Sequence, residues 1–289
     1  MDLAAASLAP LPGGHSGQTF LAEVAGERSV VRVYAESGPR GAAAAEVDAA
    51  LLRLVRGLLP VPEVLELRRA DPASGMPALL VTSYLPGVRC DLLLPDLDET
   101  GRRALGTRLG VLVADLGGMP QLGDGPFVDA DLRVGTWERP EGLPELVADT
   151  RPELVAVADD AQALLDTVTR RVLVHGDLTP GNLLVDPDTL AVTGLVDWEL
   201  AHAGHPFADL GSLLRFERDP VLTTAVLQGY AARRGTDPAT ALALAGAADL
   251  VALVELASRP GRHPDAERAE RLLRAVARAG DPGAWTDPG

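Results

Sequence analysis

The sequence predicts an α+β fold in two parts, a small β-rich amino-terminal portion followed by a larger, mainly helical one. Three observations carry this. The first third holds β-rich runs, from Phe207 onward the chain turns helical, and the dipeptide Pro86-Gly87 stops the last early strand and marks a boundary between residues 1–86 and 87–289. In order, TFLAEV at 19–24 and SVVRVY at 29–34 are strands joined by the turn AGER. After the Gly38-Pro39 break, residues 42–55 are helical, with Val47, Leu51, Leu54 and Val55 at apolar helical spacing. ALLVTSYL at 78–85 is a short buried strand. Residues 99–116 form a helix, a Gly- and Pro-punctuated stretch follows, and another helix spans about 152–168. VLVH, LLVD and AVTGLV are then three short strands in succession. Asp237-Pro238 is a helix N-cap with Pro at the first helical position, and Gly280 closes the last helix.

Composition removes several classes of protein. The chain has 289 residues and a formal net charge of −15, and all 26 of its cationic residues are Arg. Without Lys there is neither a Walker loop nor a Schiff-base lysine. No G-x-S-x-G or G-x-G-x-x-G run occurs either. An acidic chain with scattered Arg is a poor match for nucleic acid, and a cationic small molecule suits it better. Cys90, the single cysteine, excludes an internal disulfide and reads as a buried thiol. The opening MDLAAASLAP carries Asp2 and no basic n-region, so it is a poor signal peptide and a cytoplasmic location is expected. Residues 241–257 are apolar but interrupted by Asp249 and Glu255. They read as a buried helix rather than a span, and no membrane partner is expected.

The chemistry concentrates in VLVHGDLTPGNLLVDPDTLAVTGLVDWEL, residues 172–200. His175-Gly176-Asp177 ends one apolar strand, Asn182 follows five residues later, and Asp197 ends another strand beyond a tight hairpin at Pro187-Asp188. Each residue alone is an ordinary turn former or cap. Their joint spacing says more, because the one Asn of the whole chain falls where a metal site would use an amide oxygen. Oxygen donors suit a hard cation, and Mg²⁺ needs only one or two protein carboxylates beside phosphates and water. Asp197 and Asn182 are thus candidate metal ligands, leaving Asp177 to orient and deprotonate an attacking hydroxyl.

H-G-D-L-T-P-G-N followed by V-D-W-E resembles the catalytic and metal-binding loops of the aminoglycoside phosphotransferase family, relatives of the protein kinases. The resemblance implies a two-lobed kinase-like fold using ATP and Mg²⁺. Asp177 then matches the catalytic Asp, Asn182 and Asp197 the metal ligands, and His175 the loop residue that packs against the metal-binding segment. In G-H-P-F-A-D-L-G-S-L-L-R-F, residues 204–216, Asp209 matches the Asp that braces the catalytic loop, though a helix N-cap would look the same. In the amino-terminal portion, GGHSGQ resembles the phosphate loop, with Ser16 and Gly17 near ATP phosphates, although a plain hairpin turn also fits it. Glu46 matches the helix Glu that pairs with the small lobe's cationic residue, and Thr82, Ser83 and Leu85 match the linker that binds adenine through its backbone.

Two positions depart from the family pattern. Arg32 stands where a Lys usually grips phosphate, which changes geometry without removing charge. The His that often ends the first large-lobe helix is missing around Gly117. His202 and His205, three apart on an Ala-Gly-Pro stretch, read as a polar loop rather than a zinc site.

For the acceptor, residues 115–166 hold twelve acids against three Arg, a net −9. Such a field draws in a polycation, although a solvated acidic surface is the simpler account. The expectation is an O-phosphotransferase acting on an aminoglycoside or a basic peptide antibiotic, hence antibiotic resistance, with Glu199 and these acids on the ammonium groups. A small-metabolite kinase acting on choline, an amino-sugar or a hydroxy amino acid, and a nucleotide-binding pseudokinase, are the alternatives.

Overall fold

The hairpin at the start of the chain folds as its residues direct. In the computed structural model, which describes residues 7–11, 17–35, 40–71, 73–138, 142–217, 219–259 and 264–282, β1 (Ser7–Pro10) pairs with β2 (Gly17–Val24), and β2 with β3 (Glu27–Tyr34). Ala25 and Gly26 make the two-residue turn, both at positive φ, the geometry that matches strand twist. Helix α1 (Ala44–Val55) follows, then β4 (Val64–Arg68) and β5 (Leu79–Ser83). Together the strands form an antiparallel sheet in the order β1-β2-β3-β5-β4. Ala22, Val31, Leu79 and Val81 are its core. On α1 the buried stripe takes in Val47, Leu51 and Val55 as expected, but also Ala45, Asp48 and Leu52. Leu54 falls at its edge and is half exposed.

After Pro86-Gly87 come β6 (Val88–Arg89) and the single turn α2 (Cys90–Leu93), where Cys90 is a fully buried thiol outside any disulfide. Helix α3 (Glu99–Leu116) is capped by Asp98, which accepts from Gly101 N at 2.7 Å. Next are β7 (Pro120–Gln121), β8 (Gly125–Pro126), α4 (Leu143–Ala148), α5 (Val155–Leu165) and β9 (Arg171–Val174). The chemistry-bearing segment then forms β10 (Leu183–Val185) and β11 (Val192–Leu195), and β10 also pairs with β6. Strand β12 (His202–Gly204) pairs with β9, so His202 lies on a strand and not on the polar loop expected. Four helices finish the chain: α6 (Ala208–Leu214), α7 (Pro220–Arg234), α8 (Pro238–Ala257) and α9 (Pro264–Ala279). Asp237 caps α8 by accepting from Thr240 N at 2.8 Å, and Gly280 ends α9 at positive φ.

The chain forms two compact units that are not consecutive stretches. The first comprises Met1–Pro95, Pro126–Gly135 and Gly181–Ala201, and the second comprises Asp96–Gly125, Thr136–Pro180 and His202–Gly289. The first unit therefore joins the five-stranded sheet to the β6-β10-β11 sheet. Thr193 Oγ1 donates to Pro86 O at 2.6 Å, and Leu195 N donates to Pro60 O at 2.7 Å.

In the second unit α3 and α7 pack closely through glycine. A Cβ on Gly110 would stand 2.1 Å from Val226 O, and one on Gly229 would stand 2.5 Å from Thr107 O. Helix α8 is long and apolar enough to cross a membrane by length and composition. Leu244, Leu250 and Leu253 are buried in the unit, and Asp249 on the same helix forms a buried bidentate pair with Arg215 at 2.8 and 2.6 Å.

Candidate active site

In the first unit, the strand alternation of β3 carries Arg32 out of the sheet toward the turn that follows β11. Its Nη1 donates to Asp197 Oδ1 at 2.8 Å, and its Nη2 meets Glu199 Oε2. All three side chains are at least three-quarters buried, with Asp197 the most open at 25% exposure. Burial disfavours the Arg32 charge, yet the Asp197 and Tyr34 neighbours more than offset this and hold its proton more tightly than usual. Asp197 sits at φ 65°, a left-handed conformation uncommon outside glycine and typical of functional turns. Val196 N donates to Asn182 O at 3.0 Å, so the hairpin closes with the Asn182 and Asp197 positions side by side.

The carboxylate of Asp197 and the amide of Asn182 are hard oxygen donors. Asp197 and Glu199 already converge on one cation, the Arg32 guanidinium. Among the described residues no cluster of three or more His, Cys, Asp or Glu forms an all-protein metal cage. A set of this kind fits Mg²⁺, whose remaining ligands come from phosphate and water.

Several residues singled out in the sequence are placed differently from expectation. Glu46 pairs with Arg69 at the surface instead of with Arg32. The acid of α1 that faces inward is Asp48, two residues on, which lies in the field of Arg32. Ser83 is committed to the sheet edge: its N–H donates to Glu63 O at 2.8 Å and its Oγ accepts from Glu63 N at 2.9 Å, so that N–H is taken before any adenine arrives. Thr82 is buried between Val30 and Val64. The linker leaves the sheet at Tyr84, and Leu85 leans on Gly194, where a Cβ would stand 2.9 Å from Leu85 Cδ1. Glu199, expected to meet substrate ammonium groups, pairs with Arg32. Ser16 lies outside the described residues, and Gly17 opens β2.

In the second unit β9 ends in His175-Gly176-Asp177. Gly176 has φ 83°, which only glycine adopts without strain. This conformation turns its N–H to Asp209 Oδ1 at 3.0 Å, while His175 N donates to Asp209 Oδ2 at 2.8 Å. Asp209 belongs to the first turn of α6 but does not cap it. Complete burial pushes its carboxyl up to about 7, against the two N–H groups that favour the charged form. His175 is fully buried, and its Nδ1 accepts from Asp177 N at 3.3 Å, which leaves the ring proton on Nε2. His205 is also mostly buried, and burial followed by the nearby Arg171 lowers it to about 4, so it is neutral at physiological pH. His202 packs edge-on against Trp137, with ring centroids 5.2 Å apart.

Sequence and fold comparisons agree on the class. Residues 7–244 match the phosphotransferase enzyme family, and the chain belongs to this family of aminoglycoside phosphotransferases. It is 30% identical over 238 residues to an aminoglycoside 3'-phosphotransferase of Streptomyces fradiae, covering 77% of this chain and 85% of that one. It is also 28% identical over 239 residues to acyl-CoA dehydrogenase family member 11 of Gallus gallus, covering 78% of this chain. The chain spans 30% of that protein, and 15% of the related family member 10 of Mus musculus. Among solved structures the fold is similar to that of the aminoglycoside phosphotransferase APH(4)-Ia, with TM-score 0.69, 20% identity and 96% and 95% of the two chains covered. It is also similar to that of a microcompartment-associated aminopropanol kinase, with TM-score 0.64, 23% identity and 96% and 94% covered. The fold is the kinase-like α+β fold of these phosphotransferases.

Proposed function

We propose that this chain is an O-phosphotransferase that moves the γ-phosphoryl group of ATP, with Mg²⁺, onto a hydroxyl of a small cationic molecule. The observation that carries this reading is the contact between Arg32 and Asp197, which sets a phosphate-binding cation and a metal ligand against each other in one unit. Mg²⁺ held by Asn182 and Asp197 would supply charge neutralisation for the transferred phosphoryl group. Arg32 binds phosphate oxygens through its planar fork. Asp177 orients the acceptor hydroxyl and takes its proton. Asp209 holds the backbone of His175 and Gly176, and thereby the start of the catalytic loop. Residues 1–86 bind the nucleotide, with Leu85 beside the adenine, and residues 87–289 supply catalysis and the acceptor surface.

An aminoglycoside or a basic peptide antibiotic is the favoured acceptor, and antibiotic resistance in the cytoplasm is the corresponding role. The structure of a thermostable APH(4)-Ia mutant is a ternary complex with ADP and hygromycin B. The acids of the 115–166 stretch support a cationic acceptor in part. Asp115, Asp124 and Asp129 are spent on Arg233, Arg171 and Arg133, whereas Glu145, Asp149, Asp159 and Asp160 are exposed. The commitment of Glu199 to Arg32 favours a second reading, a metabolite kinase for a small amino alcohol. Intact Asp177, Asn182 and Asp197 oppose a pseudokinase. The test is ADP release over a panel of hydroxylated antibiotics and metabolites, repeated as salt rises from low to about 0.5 M. Turnover of cationic antibiotics that salt depresses selectively is the expected result, because screening shortens the reach of surface charge. Turnover of neutral or small metabolites alone overturns the antibiotic reading.

A further inference from the structure

We propose that Arg40 is a positioning residue for the turn that carries Asp197 and Glu199. It fixes the backbone of this turn from the carbonyl side, so that the metal ligand keeps its place when nucleotide phosphates claim Arg32. The inference rests on the reading of Asp197 as a metal ligand.

Arg40 lies just ahead of α1, and its side chain is 6% exposed. Its two terminal nitrogens point to different partners. Nη1 meets Asp48 Oδ1, while Nη2 donates to Trp198 O at 3.1 Å and also meets Ala201 O. The other oxygen of Asp48 accepts from Tyr34 Oη at 2.7 Å, so both sides of this buried carboxylate are engaged. Trp198, itself buried, donates its Nε1 to Leu195 O at 3.1 Å. The segment Asp197-Trp198-Glu199-Leu200-Ala201 is therefore gripped twice. Arg32 holds its carboxylates and Arg40 holds its carbonyls.

The two grips respond differently to a ligand. Phosphate oxygens compete with carboxylates for the Arg32 guanidinium, so nucleotide binding draws on the first grip. The second is closed to that competition, because Arg40 is buried and bound to a buried carboxylate and to main-chain oxygens. A buried ion pair is a costly way to join a helix to a turn if stability is the only return, since apolar residues of similar volume do as well or better. What the guanidinium adds is direction: two N–H groups reach the turn while a third fixes the helix.

The experiment titrates a non-hydrolysable ATP analogue into wild type and Arg40→Lys by calorimetry, with and without Mg²⁺, and records the Tm of each. Lys keeps a positive charge beside Asp48, but a single ammonium cannot reach Asp48 and both carbonyls. The expected result is a Tm near that of wild type, metal-free affinity within about twofold, and a Mg²⁺ enhancement of binding reduced by roughly 10–100-fold, the usual scale for losing a group that orients a metal ligand. If Arg40→Lys does not fold, the double variant Arg40→Met/Asp48→Asn, which removes both charges, must show the same selective loss. A wild-type Mg²⁺ enhancement in the folded variant overturns the proposal, as does an equal loss of affinity with and without the metal. If wild type itself shows no Mg²⁺ enhancement, the metal reading of Asp197 fails, and the role of Arg40 fails with it.

Discussion

Arg32 shows how far a single residue can be read from sequence. Its charge and its strand are plain in the sequence, whereas its partners, 165 and 167 residues away, were not legible. A strand residue announces its face through alternation, but nothing local names the turn it meets. Glu46 and Asp48 illustrate the same limit. Two residues apart on a helix they lie about 200° apart around its axis, so the choice of the inward acid depends on where the buried stripe is centred. Arg40 and Asp48 carried one available signal, an Arg and an acid flanking the first turns of a helix, but composition offers many such pairs. Asp209 supports a prediction at this scale. Its folded-state carboxyl lies near 7 against an ordinary 3.8, so between these values the folded chain holds a proton that the unfolded chain has released. Its contribution to stability is thus full below the ordinary value and is lost as pH rises through about 7. Asp209→Asn should remove this falling component, leaving a stability profile from pH 4 to 7 that declines less steeply than that of wild type in urea titrations. Identical slopes would show that Asp209 does not titrate in this window.

At the scale of elements, the segments that could be read were those with strong local signals. The AGER turn, the Pro-Gly stop after β5 and the Asp-Pro start of α8 each state a backbone geometry in two residues. The segments missed were short or unpatterned. Strand β4, VLELR, alternates only over residues 65–68, too short a run to stand out, and β12, only three residues long, is defined by its partner β9 and not by its own propensity. The seam between α3 and α7 is likewise invisible in one sequence, because the closeness at Gly110 and Gly229 depends on which helix lies opposite. Between α6 and α8 the buried pair of Arg215 and Asp249 carries a prediction. Asp249→Ala leaves a guanidinium buried without its carboxylate and should cost about 3–5 kcal/mol, whereas replacing both residues with Leu or Met should be near neutral. Equilibrium urea unfolding of the single and double variants checks this. A cost for the double variant as large as for the single would mean that the pair stabilises the helices on its own account.

For the whole molecule, the acidic charge, the missing Lys and the order of motifs along the chain delimit the class well, and the family match over residues 7–244 agrees with them. The sequence boundary at residue 86 follows the chain, whereas the compact units do not, since Gly181–Ala201 returns to the unit of the amino-terminal sheet. That return places the hairpin of Asn182 and Asp197 with Arg32, and leaves Asp177, five residues before Asn182, with the loop held by Asp209. If the proposed roles hold, substitutions at Asp177 and at Asn182, Asp197 or Arg32 separate proton transfer from nucleotide and metal binding. The most direct test is Asp177→Asn, assayed for ADP release with an acceptor that wild type phosphorylates and for binding of a Mg²⁺-bound ATP analogue. The predicted result is binding close to wild type with turnover reduced by roughly 10²–10⁴-fold, the usual loss for a positioned base. Turnover retained at the wild-type rate, or nucleotide binding lost together with it, would contradict it.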